Sequence, residues 1–191
     1  EIIFLDSSVS YFYYNLLSKR KQKLTINDDP CKILKARKNK LEIKCSREAH
    51  INDGISLANF FCWLENQKYN DELNEFKVAK ELENFRKKND NFFSLSFPTI
   101  SAVGSNGSII HYKPEEKKCL NLKKGQLYLC DSGGQYYGAT TDVTRTILLG
   151  NKKPKKEYID TYTRVLIGHL NLSMLKFPKG TKGYQIDSLA R

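Results

Sequence analysis

Residues 127–149, LYLCDSGGQYYGATTDVTRTILL, constrain the fold more than any other stretch of the chain. Two apolar, β-prone arms, Leu127–Cys130 and Val143–Leu149, enclose a middle that contains Gly and Tyr. This is a hairpin pattern, with a loop longer than the tightest type. Asp131 closes the first arm and Asp142 opens the second. Carboxylates are depleted in strands, so two of them where paired strands bring side chains together need a cause. One cause is plain turn chemistry, since Asp-Ser-Gly suits a strand end. The other is a site for a divalent cation such as Mn2+, which takes hard oxygen ligands.

The remainder of the chain fits an α+β domain. Its 191 residues, 40% hydrophobic and 28% charged, are enough for one domain or parts of two with a sizeable core. No apolar run approaches membrane-spanning length. The formal charge of +11 comes mainly from Lys spread along the chain. No nucleic-acid-binding signature accompanies it, so it reads as a Lys and Asn bias rather than a nucleic-acid interface. The five cysteines, Cys31, Cys45, Cys62, Cys119 and Cys130, have no zinc-finger spacing. Free thiols in a reducing compartment fit them, and a cytoplasmic location is expected. Cys130 should point away from the face that carries Asp131 and serve as a core thiol.

Glu1–Leu5 and Leu24–Ile26 read as strands around a helix over Val9–Leu17, with Asp6-Ser7-Ser8 as its cap. Ser46–Asn66 reads as a helix with Ile51, Ile55, Ala58, Phe61 and Cys62 on its apolar stripe. A second helix over Glu72–Lys88, capped by Asn70 or Asp71, should turn Leu73, Phe76, Ala79, Leu82 and Phe85 to the core. Asn106-Gly107 favours a primed turn, and Ser108–Tyr112 then reads as a strand that carries His111. By default such a His is a satisfied structural side chain. Glu157–Lys176 reads as a long helix with His169 packed in its apolar stripe. His50 reads as a surface residue.

Several motifs together resemble one family. Asp131-Ser132-Gly133, the step to Asp142, and Thr144-Arg145-Thr146 are similar to the metal hairpin of the pita-bread metallopeptidases, and within them to aminopeptidase P proteins. The likeness extends through Ser96-Phe97-Pro98-Thr99-Ile100, Gly104, Asn106-Gly107 and Ile109-Ile110-His111-Tyr112. Downstream it takes in Gly168-His169, Phe177-Pro178 and Gly180-Thr181-Lys182-Gly183.

The resemblance implies the first half of a pita-bread catalytic domain over residues 31–191, preceded over residues 1–30 by the last elements of an α/β domain. It implies that Asp131 and Asp142 help hold two divalent ions, expected to be Mn2+, with Asp142 between them. The remaining ligands, one His and two Glu, are expected beyond residue 191, and the chain is therefore expected to be an incomplete catalytic unit. His111 is expected to bind substrate and help transfer a proton, which makes it both a catalytic and a substrate-binding residue. Arg145 is expected to pair with a carboxylate of the hairpin. The implied substrates are peptides with Pro in second position, and the implied partner is the other half of the catalytic domain. A homodimer is compatible with this reading; a membrane partner is not expected. The alternative is a non-catalytic pita-bread module that binds proteins or peptides.

Overall fold

The computed structural model describes residues 2–20, 23–69, 72–150 and 152–191. It opens with β1 (Ile2–Leu5), α1 (Tyr11–Ser18) and β2 (Lys23–Ile26), and the two strands pair in parallel. A parallel pair needs a crossover between its strands, and α1 supplies it, in keeping with the strand–helix–strand pattern. The helix cap is Ser10, whose hydroxyl accepts from Phe12 N–H, not the Asp6–Ser8 triplet. Asp6 is used otherwise: it accepts from Asp29 N–H and from Lys32 Nζ, tying the end of β1 to the next helix, α2 (Pro30–Ala36).

α3 (Lys40–Glu65) starts at Lys40 rather than Ser46. Asn39 and Glu42 form a capping box there, each side chain bonding the other's backbone N–H. The residues it buries are Ala49, Asp53, Ser56, Leu57, Phe60 and Leu64. Ile51 and Ile55, expected inside, are 63% and 55% exposed. α4 (Glu75–Lys87) is capped by Asn74, whose side chain accepts from Lys77 N–H. Asn70 and Asp71, the expected caps, lie outside the described residues. Its buried face is Glu75, Val78, Leu82 and Arg86, and the Phe76 and Phe85 stripe is only half-buried. Both corrections have one reason. Counting apolar side chains discounts Asp53, Glu75 and Arg86, which are buried because partners distant in sequence satisfy them.

The strands that follow are β3 (Phe92–Leu95), β4 (Ile100–Val103), β5 (Leu127–Ser132), β6 (Gly134–Tyr136), β7 (Ala139–Thr140) and β8 (Val143–Leu148). They form two antiparallel sheets, in the orders β4-β5-β8 and β3-β6-β7. The expected hairpin is present, but its middle is not a long loop. Leu127 pairs with Leu148, Ser132 with Val143, Gln135 with Thr140 and Tyr136 with Ala139, so one register runs from base to tip. The tip is Tyr137-Gly138, with Gly138 at φ 82°. The ribbon leaves one sheet at Gly133 and enters the other.

β5 separates two environments. Tyr128, Cys130 and Ser132 are buried, while Leu127, Leu129 and Asp131 on the other face are partly open, as the two-residue side-chain period requires. The buried side meets Leu57, Phe60 and Leu64 of α3 and Val78 and Leu82 of α4, with Val103, Leu122 and Leu149, in a single core. α5 (Lys156–Met174) and α6 (Gly183–Ile186) complete the chain. Of α5 only Gly168 is fully buried; a Cβ there would come within 2.5 Å of the Ala190 carbonyl oxygen. Val165 is 67% exposed, and His169 is exposed rather than packed in a core. Among the described residues no helix is long and apolar enough to cross a membrane.

Candidate metal centre

Register places the two hairpin carboxylates on one face. Asp131 lies opposite Thr144, and Asp142, two residues before Thr144, therefore shares its side of the ribbon. Both line a cavity of about 420 Å³ with Phe97, Pro98, Ile100, His111 and Lys113. The three expected site residues are thus brought together.

Asp131 carries the decisive detail. Its Oδ1 is buried and has no hydrogen-bond partner; among the described residues only Arg86 Nη1 and Thr99 Oγ1 share that condition. Leaving a buried acceptor unpaired costs about 1–3 kcal/mol. A carboxylate that lines a cavity beside a second carboxylate can recover that cost by binding a cation, and hard oxygen donors suit a divalent one. The donor set therefore fits a divalent metal, but only in part. Among the described residues no group of three or more His, Cys, Asp or Glu could hold a metal ion.

Gly133 keeps the two carboxylates together. A Cβ there would fall 1.9 Å from the Thr141 carbonyl oxygen and 2.4 Å from Ser96 Oγ. Ser96 fastens the crossing: its N–H donates to the Gly133 carbonyl at 3.1 Å, and its hydroxyl donates to the Thr141 carbonyl at 3.0 Å. Ser96 therefore links the Ser-Phe-Pro-Thr-Ile stretch to the bend of the ribbon.

His111 reaches the cavity from a turn, not from a strand. Gly104–Ser108 is a 3-10 helix, Ile109 N–H donates to Asn106 O, and Tyr112 N–H donates to Ile109 O. His111 has φ 56°, the one positive value among the described non-glycine residues. His enters that left-handed region more readily than most side chains, at a cost of roughly 1–3 kcal/mol. The Asn-Gly signal predicts a primed hairpin turn, but the Asn106 side chain is captured elsewhere. Its Nδ2 donates to both oxygens of the Glu75 carboxylate, at 3.2 and 3.0 Å. Glu75 also accepts from Val103 N–H at 2.7 Å, Tyr112 hydroxyl at 2.7 Å and Leu120 N–H at 2.9 Å. Burial, and then the Glu75 carboxylate, push the Tyr112 phenol well above its ordinary range, so it remains a donor.

A second buried network lies behind Asp131. Arg86 Nε and Nη2 donate to the two Asp53 oxygens at 2.6 and 3.2 Å, and Nη2 also donates to Ser132 Oγ at 3.1 Å. The Tyr136 hydroxyl donates to Asp53 Oδ1 at 2.7 Å. Burial, followed by the Asp53 carboxylate, pushes the Tyr136 phenol up. Through Ser132, the residue after Asp131, this network joins α3 and α4 to the ribbon. Sequence reasoning assigned no buried role to Asp53, Glu75 or Arg86. The available signal was that Glu75, Val78, Leu82 and Arg86 recur at helical spacing on one face.

Other expectations resolve simply. Cys130 is buried, and desolvation pushes its thiol up, as suits an inert core thiol. All five cysteines are free. His50 is exposed. Arg145 does not meet a hairpin carboxylate: its Nη1 donates to the Thr144 carbonyl at 2.7 Å, and among the described residues no ion pair includes it. Alternation explains this, since Arg145 lies opposite Cys130 and not opposite Asp131.

Comparison with known proteins gives a consistent picture. The pattern of metallopeptidase family M24 matches residues 44–191. A probable Xaa-Pro aminopeptidase P of Laccaria bicolor is 49% identical over 90% of this chain, and the match covers 26% of that protein. Xaa-Pro aminopeptidase 1 of Dictyostelium discoideum is 45% identical over 99% of this chain and is covered over 30% of its length. The chain thus spans between a quarter and a third of these curated relatives. X-prolyl aminopeptidase of Caenorhabditis elegans, described as a cytosolic enzyme with a di-nuclear active site, superposes on the whole chain. The TM-score is 0.87 at 34% identity, and 31% of that chain is covered. Prolidase from Pyrococcus furiosus shares the fold, with a TM-score of 0.78 at 23% identity, all of this chain covered and 53% of that one.

Proposed function

The chain belongs to metallopeptidase family M24 and has part of the pita-bread fold, and from that premise we propose that it is part of an Xaa-Pro aminopeptidase. In this reading the whole protein hydrolyses the first peptide bond of substrates with Pro in second position. The observation that carries it is the common cavity of Asp131, Asp142 and His111, with Asp131 Oδ1 buried and unpartnered.

The roles follow from the chemistry of each group. Asp131 and Asp142 would hold two divalent ions, for which Mn2+ is our choice, together with ligands from the rest of the protein. When bound, such ions supply Lewis acidity and a water of lowered pKa. Asp131, fixed within β5, and Asp142, just before β8, place their negative charge on the same side of the ribbon. Phe97, Pro98 and Ile100 give that cavity an apolar side that suits a proline ring and excludes water. His111, which also lines the cavity, can donate to or accept from a peptide group, and we assign it to substrate binding and to a proton at the leaving imino nitrogen. Residues 31–191 are, in this proposal, the first half of the catalytic domain, and residues 1–30 the close of an α/β domain. A second half of the catalytic domain is then the required partner. The location we propose is cytoplasmic.

The test is Asp142→Ala in the full-length protein. Bound Mn2+, measured by calorimetry and metal analysis, should fall, and metal-dependent release of the residue before Pro should be lost. Normal turnover in that variant would refute the assignment. A parent protein that binds peptides without cleaving them would instead favour the non-catalytic module.

A further inference from the structure

We propose that Glu75 and Tyr112 are positioning residues for His111: the Glu75 carboxylate clamps both ends of the segment that carries His111 and so sets its aim into the cavity. The inference rests on the role given to His111 above.

Glu75 is fully buried, and among the described residues no ion pair includes it. A buried charge without a cation is costly unless hydrogen bonds satisfy it. Here they do, and their addresses are specific. Val103 N–H lies just before the 3-10 turn, Asn106 Nδ2 within it, Tyr112 hydroxyl directly after His111, and Leu120 N–H beyond. Asn106 Nδ2 also donates to the Tyr112 oxygen at 2.9 Å, closing a triangle of side chains. The Glu75 backbone is itself immobilised. Its N–H donates to Leu120 O at 3.0 Å, and its carbonyl accepts from Ser101 Oγ, which lies 2.9 Å from the buried Tyr128 hydroxyl.

Every group that faces this carboxylate is a donor, so the site requires an acceptor on both oxygens. An amide offers one acceptor oxygen and turns two N–H groups toward those donors. A core polar residue with a merely packing role would not need that pattern. Here the pattern brackets one residue held at positive φ, a backbone state that persists only when its surroundings impose it. Neither Glu75 nor Tyr112 lines the cavity, so an effect on turnover passes through neighbours that do, and the H111A background separates His111 from the rest.

The experiment is a double-mutant cycle in the full-length enzyme, with Tyr112→Phe as the mild perturbation and Glu75→Gln as the stronger one. Y112F should lower kcat/KM on an Xaa-Pro peptide by roughly tenfold, the scale of a small misplacement of a reacting group. Bound Mn2+ should be unchanged. In an H111A background the same change should cost less than about twofold, since residues that act through one another are not additive. The ring resonances of His111 in 1H–13C NMR should shift in Y112F. Equal losses from Y112F with and without H111A would overturn the proposal. So would unchanged His111 resonances together with unchanged kcat/KM. If E75Q fails to fold, Y112F still decides. If the parent enzyme releases no residue before Pro, the proposed function fails, and the His111 resonances alone test the positioning.

Discussion

The two faces of β5 treat buried carboxylates in opposite ways. On the helix side, Asp53 has Arg86 and Tyr136, and the Glu75 carboxylate beyond it has donors on both oxygens. On the cavity side, one oxygen of Asp131 has none. The backbone is the same strand, and in our proposal the difference lies in what is expected to arrive. Charges whose partners are already in the chain hold the fold together. A charge left open beside a second carboxylate is where our proposal puts the metal. Stability and function should therefore separate by face, and variants can probe that separation.

The largest effect is expected on the helix side. Arg86→Met leaves Asp53 buried without its cation and should cost about 3–5 kcal/mol in chemical denaturation. A loss near zero would mean that the network does not stabilise the fold. Gly133→Ala comes next, because its Cβ meets the Thr141 backbone at 1.9 Å. We expect a loss of roughly 1–3 kcal/mol from overpacking, with weaker Mn2+ binding as the carboxylates part. Unchanged metal affinity would show that the crossing does not set their spacing. Asp131→Asn, on the open face, should not destabilise the fold, because it removes a charge that has no partner there, while Mn2+ binding collapses; a large destabilisation would place Asp131 with the structural charges.

The smallest effect is local and depends on pH. The Lys32 ammonium, with Ser8 and the Asp29 N–H, holds the Asp6 carboxyl well below the usual carboxylate range. Its folded value is depressed, so the contact is present above the ordinary Asp pKa of about 4. It is lost as pH falls through the folded value. Hydrogen exchange at Asp29 N–H should quicken only in strong acid, with the β4-β5-β8 sheet unaffected. Loss of protection already near neutral pH would contradict the pairing.

The same contrast explains what the sequence disclosed. The ribbon and its two aspartates were legible because alternation and Gly placement are local. The cavity trio was legible through family resemblance, since His111 alone reads as an ordinary strand residue. What was hidden depends on distant partners. Asn106-Gly107 looks like a hairpin turn until Glu75, far away in sequence, takes the Asn106 side chain. The buried face of α4 looks aromatic until Asp53 and Glu75 find their donors. The long α3 was underestimated at its start because the Asn39–Glu42 box precedes the apolar stripe.

The unbroken register of the ribbon has a consequence for how this chain can vary in length. Removing one residue from each arm near Tyr137-Gly138 would shorten the protrusion and leave Asp131 and Asp142 facing the same way. A single insertion in one arm between Gly133 and Asp142 would instead rotate one aspartate to the far side of the ribbon. Related chains should therefore tolerate paired changes at the tip and resist odd ones at the bend.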